Sequence, residues 1–220
     1  SVLILGAVAA LSVAFVILLA PTVDPVGGGG LYQYMLIGGQ FFAMALPIIA
    51  VLSMTAEWRW RTALVTYALD TRRTAIFVSK IIAVWLLALV FTLVAAGVGV
   101  AVGMWHGMEF TASDQLFTGL AWLTAFLTVY VLVGAALGAA LLNAPLAIAL
   151  VVLGPQMIPM LLSSNSVTSE LAGWVDWLNP LTEAVEAQAW VGNNAQFAVA
   201  LLCWIVIPLG IGMWRNARRD

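Results

Sequence analysis

Residues 55–80 read TAEWRWRTALVTYALDTRRTAIFVSK and hold most of the positive charge of an otherwise apolar chain. The chain's basic residues form two clusters, and long apolar runs fill nearly everything else. The clusters are Arg59, Arg61, Arg72, Arg73 and Lys80, and then Arg215, Arg218 and Arg219. Lys and Arg beside membrane spans stay on the cytoplasmic side. We therefore expect residues 55–80 and the C-terminus to lie inside the cell.

The composition predicts a single membrane-embedded, all-α domain over residues 1–220. Of the 220 residues, 64% are hydrophobic and 8% charged, whereas soluble domains carry roughly 25% charged residues. A net charge of −2 leaves no basic stripe for phosphates, which argues against nucleic-acid binding. Cys203 is the one cysteine, so an internal disulfide or a Cys-rich metal site is ruled out. Its apolar surroundings predict a small core residue.

Six stretches are long enough to cross a bilayer, which takes about 20 apolar residues. They are approximately Val2–Ala20, Leu31–Met54, Ala75–Met104, Leu116–Leu142, Leu146–Leu162 and Phe197–Trp214. The fifth contains Pro155 and Pro159, so we expect it to be kinked or broken. An even number of spans places both termini inside. The chain starts at Ser1 in an apolar stretch without a positive flank, so we expect a preceding cytoplasmic segment rather than a signal peptide.

The connecting segments agree with this topology. Residues 21–30, 105–115 and 163–196 become outer loops, and none of them contains Lys or Arg. Asn143-Ala144-Pro145 becomes a tight inner turn. Because the orientation rule counts Lys and Arg, the absence of these residues from the outer loops is the main support for this topology.

The last outer segment, 163–196, is patterned rather than a plain tether. Apolar residues recur near helical spacing, which predicts one or two interfacial helices. Asn179-Pro180 should start or break a helix, because Pro suits a first turn. Two interpretations remain open, a cap packed on the bundle and a gate on an exit path. The residues assigned to this outer cap are Trp174, Trp177, Asn179 and Pro180.

The chain offers few groups for catalysis, so we predict no catalytic residues and no metal site. A lone interfacial His106 is more often structural than a ligand. Gln40 and Gln156 are polar residues inside spans, where they need partners or a wet cavity. They either line a pathway or form helix–helix hydrogen bonds. Small residues such as Gly97, Gly99 and Gly134 indicate close helix packing.

The segment after the second span has an exposed, aromatic-rich surface. On a helix, Glu57 and Arg61 are four residues apart and can pair, while Trp58, Val65 and Leu69 form one of two apolar stripes. One stripe can rest on the bundle or the membrane, and the other needs a cover. Either a protein partner docks here, or the segment is a basic loop held at anionic headgroups.

Taken together, these features resemble the ABC-2 permease subunits of ATP-binding-cassette exporters, which have the type V exporter fold. That family has six spans, inner termini, an inner coupling segment after span two and a re-entrant or capped outer segment before span six. Trp177-Leu178-Asn179-Pro180-Leu181 resembles the family's outer Asn-Pro element. Departures are Arg61, where Gly is common, and Asp70, where Pro is common. The inner motif is matched at Glu57, Arg59, Thr62, Leu64, Arg72 or Arg73, and Lys80.

The resemblance implies a permease subunit that moves an amphipathic or lipid-like substrate outward and is not itself an enzyme. It implies two copies of a separate ATPase that holds ATP and Mg, with no cofactor on this chain. It also implies a second permease copy, as a homodimer or related heterodimer, in contact with membrane lipid. The implied coupling segment comprises Glu57, Trp58, Arg59, Arg61, Thr62, Val65, Leu69, Arg72 and Arg73.

Two rival functions remain at this point. One is the substrate-binding membrane component of a vitamin importer, and the other is a membrane scaffold or intramembrane enzyme. The richness in Ala, Val, Gly and Trp with a single Lys suggests a high-GC bacterium, and the resemblance implies a location in its inner membrane. The substrate cannot be inferred from these residues, since a Leu/Val/Ala-rich bundle suits drugs, lipids, peptides and lipid-linked glycans equally.

Overall fold

The computed structural model describes residues 2–19, 30–59, 73–107, 114–190 and 192–218, and these form helices and turns without a strand. The first five helices are α1 (Val2–Leu19), α2 (Gly30–Arg59), α3 (Arg73–Trp105), α4 (Asp114–Leu141) and α5 (Ala144–Ser163). Two short helices follow, α6 (Ser169–Val175) and α7 (Leu178–Ala187). The last helix consists of α8 (Asn194–Leu201), a π-helical turn (Leu202–Val206) and α9 (Ile207–Arg218).

Five helical segments among the described residues are long and apolar enough to cross a membrane. They are Leu31–Ala56, Ile76–Trp105, Leu116–Leu141, Ala144–Ser163 and Asn194–Arg215. The chain is therefore an all-helical, multi-pass membrane protein. These segments match predicted spans two to six within a few residues. The first predicted span is a helix, α1, but its crossing of the membrane stays a prediction.

Helices α2 and α4 form the centre of the bundle. Half of each of these spans is buried inside the protein, against 28% for α3, α5 and the last helix. Gly134 makes the close approach possible, because a Cβ there would lie 2.5 Å from the carbonyl oxygen of Pro47. On the neighbouring side, the rings of Phe42 and Phe91 pack with centroids 4.8 Å apart and join α3 to α2.

Helix α1 packs on the outside of α2 and α3. Val16 is fully buried in a small cluster with Tyr34 and Val102. Phe15 contacts Phe41 of α2, with ring centroids 5.7 Å apart. The amino-terminal helix is thus part of the bundle.

Helix α5 begins sharply after α4. Leu142 has a positive φ of 51°, and the Asn143 side chain accepts a hydrogen bond from the backbone N–H of Leu146 at 3.3 Å. The chain therefore turns at Leu142 and Asn143, and Ala144 and Pro145, predicted to belong to the turn, already form the first turn of α5. The helix then runs without interruption through Pro155 and Pro159, so it is not broken there. Membrane helices tolerate proline because neighbouring groups satisfy the freed carbonyls.

The last helix changes hydrogen-bond pattern in its middle. The backbone N–H of Ile207 donates to the carbonyl of Leu202, which is the longer π-type spacing. Pro208 follows directly and has no N–H to offer the carbonyl of Trp204, so the regular ladder cannot continue. Cys203 lies in this turn and is exposed. The prediction that Cys203 is a core residue was wrong, because an apolar run does not reveal which side faces the bundle.

The described basic residues lie at one end of the bundle. Arg215 donates a hydrogen bond to the carbonyl of Ala140 at 2.6 Å, next to the turn at Leu142. A Cβ at Gly138 would lie 3.0 Å from the Cα of Val51, which brings the end of α4 beside the end of α2. One end of the bundle therefore contains the end of α2, the start of α3, the α4–α5 turn and the end of α9. We call it the basic end.

Candidate functional site

Helices α6 and α7, which we call the cap, enter the bundle from the end opposite the basic end and reach the middle of α4 and of the last helix. Sequence analysis predicted one or two helices between residues 163 and 196, and two short ones are present. Trp177 joins them and is fully buried, with its ring edge-on to Tyr130 of α4 at a centroid distance of 4.9 Å. The apolar face of α7 continues this contact into the main core through Leu178, Leu181, Ala184 and Val185. Sequence analysis left open whether this segment packs on the bundle or gates an exit path, and this geometry directly supports packing on the bundle.

Asp176 fixes the start of α7. One oxygen of its carboxylate accepts from the backbone N–H groups of Leu178 and Asn179, at 3.1 and 3.0 Å. The other oxygen accepts from the Asn179 side-chain amide at 2.6 Å. Pro180 lies in the first turn, where its missing N–H needs no partner. The prediction that Asn179-Pro180 starts a helix is confirmed.

Two hydrogen bonds tie the cap to the spans. The Tyr32 hydroxyl of α2 donates to the carbonyl of Val185 in α7. The indole N–H of Trp204, in the π-helical turn, donates to the carbonyl of Val175 at the end of α6, at 2.9 Å. Each cap helix is therefore held by a different span, so relative movement of α2 and the last helix would pull on the cap.

A buried polar group lies at the centre of this contact. The indole nitrogen of Trp177 is shielded from solvent and has no hydrogen-bond partner among the described residues. A buried donor without a partner costs about 1–3 kcal/mol. Trp174, by contrast, is 39% exposed on α6. Only one of the two predicted cap tryptophans is thus inserted into the bundle.

A small cavity lies where the cap meets α2 and α4. Its volume is about 20 Å³, enough for about one water molecule. Three of its lining side chains are polar, Gln40 from α2 and Thr182 and Glu186 from α7. Its apolar walls are Leu36, Leu123, Phe126 and Val185. One predicted pathway residue, Gln40, therefore lines a cavity shared with α7, although its side chain remains exposed on α2.

The other predicted pathway residue is elsewhere. Both glutamines are exposed, but Gln156, on α5, does not line this cavity. Sequence analysis had no means to separate the two glutamines, because both lie inside apolar runs. The arrangement links Gln40, and not Gln156, with the cap.

Thr182 and Glu186 were missed by sequence analysis, although a signal was present. They are four residues apart on α7, which places them on the same helix face, next to the apolar face of Leu181 and Val185. Tyr32 and Tyr130 carried no such signal, since each is an ordinary aromatic residue in an apolar span. Their contacts arise from tertiary packing alone.

The cap is acidic. It contains Glu170, Asp176, Glu183 and Glu186, and the sequence has no Lys or Arg between Lys80 and Arg215. Among the described residues, no group of three or more His, Cys, Asp or Glu side chains is arranged to hold a metal ion. The chemistry available at this end is therefore hydrogen bonding and negative charge.

The predicted coupling segment lies mainly outside the described residues. Glu57, Trp58 and Arg59 form the last turn of α2, and Arg73 begins α3, but only their backbones are described. The other predicted members, Arg61, Thr62, Val65, Leu69 and Arg72, fall in the undescribed part. The structure places both flanks of the segment at the basic end.

Comparison with known proteins gives no relative: no family model, curated protein or solved structure matches the chain. Function must therefore be inferred from the residues and their arrangement.

Proposed function

We propose that this chain is the membrane-spanning permease subunit of an ATP-driven exporter in a bacterial inner membrane. It moves an amphipathic or lipid-like substrate outward, and a separate ATPase subunit supplies the energy. The observation that carries the proposal is the difference between the two ends of the bundle. One end collects the basic residues and the flanks of the 57–73 segment, and the other carries an acidic cap whose helix α7 shares a small cavity with Gln40.

In this proposal the basic end faces the cytoplasm, as Lys and Arg beside spans do. Helix α1 is then the first of six spans, and both termini lie inside. The cap faces outward, at the exit of the pathway. A second permease copy, identical or related, completes the pathway, and two ATPase copies bind the inner segments.

Helix α2 offers a mechanical link between the two ends. It is continuous from Gly30 to Arg59, and at 1.5 Å per residue Gln40 lies about 28 Å from Arg59 along it. Movement of the ATPase on ATP binding displaces the inner end of α2, and the helix, which continues through Pro47, carries the movement to Gln40. Tyr32 transmits it to the cap through the carbonyl of Val185. Such coupling requires contacts that differ between the inward-open and outward-open states.

The docking role is tested by charge reversal in the inner segment. We expect the double variant Glu57→Lys with Arg61→Glu to lose co-purification of the ATPase and to lose efflux, because it inverts the charges offered to the partner. The matched control is Glu170→Lys, a charge reversal at an exposed cap residue, which should keep the ATPase.

Unchanged ATPase binding together with unchanged efflux in the double variant would refute the docking role. An ATPase that is recruited only through a third membrane protein would instead indicate the vitamin-importer component.

A further inference from the structure

An open groove lies on the side of α2 and α4 away from the cap cavity. It has a volume of about 270 Å³ and lies between α2, α3 and α4. Its walls are almost entirely apolar, formed by Met35, Val100, Leu116, Phe117 and Leu120, with Ala96 and Gly97 contributing backbone and methyl surface. All three helices are candidate membrane spans. The groove therefore opens sideways into the bilayer.

The groove lies within one leaflet. At 1.5 Å per residue, Val100 is about 8 Å and Ala96 about 14 Å from Trp105, along α3 toward the membrane centre. Both depths lie within one half, about 15 Å, of a hydrocarbon core about 30 Å thick. Trp105 is 89% exposed at the end of α3, and exposed Trp residues are typical of the headgroup level. The groove thus runs from the headgroups on the cap side toward the bilayer centre.

Gly97 keeps the groove open. A Cβ at this position would have no atom within 4 Å, whereas a Cβ at Gly99 would lie 2.6 Å from the backbone of Met35. Gly99 is therefore needed for helix packing, and Gly97 is not. The prediction that Gly97 supports close packing was wrong within this chain. The absence of a side chain at Gly97 leaves empty volume where three helices converge.

We propose that this groove binds one acyl chain of a membrane lipid from the leaflet on the cap side. An unfilled groove would forfeit the dispersion contacts of its lining, and hydrocarbon chains are the solvent that reaches it. A chain in the groove contacts three helices, whereas a chain on a flat helix face contacts one. The volume is near the lower limit of ligand pockets, and the almost entirely apolar walls suit a hydrocarbon chain rather than a polar headgroup. The proposal does not depend on the exporter function.

The experiment uses the full chain in phosphatidylcholine nanodiscs with a trace of phosphatidylcholine carrying a diazirine in the middle of one acyl chain. After illumination, adducts are mapped by peptide mass spectrometry. The informative pair is Leu120, which is partly buried in the groove, and Leu153, which is 51% exposed on α5. Labelling in proportion to exposure would favour Leu153. The proposal expects several-fold more adducts at Leu120.

Two glycine variants supply the matched comparison. Gly97→Phe fills the groove and should reduce the Leu120 adducts several-fold. Gly210→Phe adds the same ring to α9, where a Cβ likewise has no atom within 4 Å, and should leave them unchanged. Should Gly97→Phe not fold, Phe117→Ala removes an exposed wall of the groove and should give the same reduction.

Three results would overturn the proposal. The first is labelling that follows exposure alone. The second is Leu120 labelling that persists in whichever of Gly97→Phe and Phe117→Ala folds. The third is efficient disulfide formation between copies carrying Gly97→Cys in a Cys203→Ser background, with Leu120 protected from lipid, because a second copy would then occupy the groove.

Discussion

At the scale of single residues, the distance between α2 and α4 is set by glycines. A Cβ at Gly134 would lie 2.5 Å from the carbonyl oxygen of Pro47 and 2.8 Å from its Cα. These are backbone atoms, which cannot rotate away as a flexible side chain can. In a bilayer, close packing of this kind replaces the hydrophobic effect as the main source of helix association. Even one added methyl group at Gly134 should therefore lower the stability of the packed bundle.

We expect Gly134→Ala to lower the thermal stability of the detergent-solubilised protein, because α2 and α4 must separate to admit the methyl group. Overpacking of this type costs about 1–3 kcal/mol. The control is Gly210→Ala, where a Cβ meets no atom within 4 Å. The midpoint temperature of thermal unfolding of this variant should stay level or rise. Equal midpoints for the two variants would mean that the helices are not packed as closely as described.

At the scale of elements, the cap depends on a few local interactions at its centre. Asp176 holds the first turn of α7, and Trp177 anchors both cap helices against Tyr130. The helices themselves are short, and short helices are not stable alone in water. Their order must come from the hydrogen bonds at their first turns and from burial of one apolar face. The cap is therefore the element most easily loosened without unfolding the spans.

We predict that Asp176→Ala speeds amide hydrogen exchange over residues 178–182 while the exchange of α2 and α4 stays unchanged. The variant removes the oxygens that accept from Leu178 and Asn179, a loss worth about 1 kcal/mol in typical helix caps. Asp176→Asn keeps one acceptor oxygen and should lie between wild type and Asp176→Ala. If α7 exchanges equally slowly in all three proteins, Asp176 does not control the order of the cap.

At the scale of the whole molecule, the two ends carry opposite character. Arg215 reaches the carbonyl of Ala140 at the basic end, and the cap end is acidic. The helices alternate in direction between these ends. Showing which side of the membrane one end faces therefore orients the whole described bundle. The exposed turns on either side provide the positions for that observation.

Sidedness is measured by cysteine accessibility in a Cys203→Ser background. Ser166 lies in the exposed turn before α6, and Pro145 is exposed at the start of α5. We expect a membrane-impermeant thiol reagent to label Ser166→Cys in intact cells, and Pro145→Cys only after permeabilisation. The reverse pattern would place the basic end outside and remove the basis of the exporter proposal.

Much of the helical layout follows from the sequence alone. The lengths of apolar runs are local properties, and they located α2 to α5 and the last helix to within a few residues. Apolar spacing and Asn179-Pro180 predicted one or two helices between residues 163 and 196, without their bounds. The separation of basic and acidic ends also follows, because alternate connections between the apolar runs contain no Lys or Arg.

Only the tertiary structure decided which faces meet. It buried Trp177 but not Trp174, placed Gln40 but not Gln156 at a cavity beside α7, left Gly97 open while Gly99 packs, and turned Cys203 outward. The physical reason lies in the solvent. Lipid is as apolar as the protein interior, so a membrane span is apolar on every face and its sequence does not mark the side that packs. Those choices depend on complementary shape between helices, which exists only once the bundle has assembled.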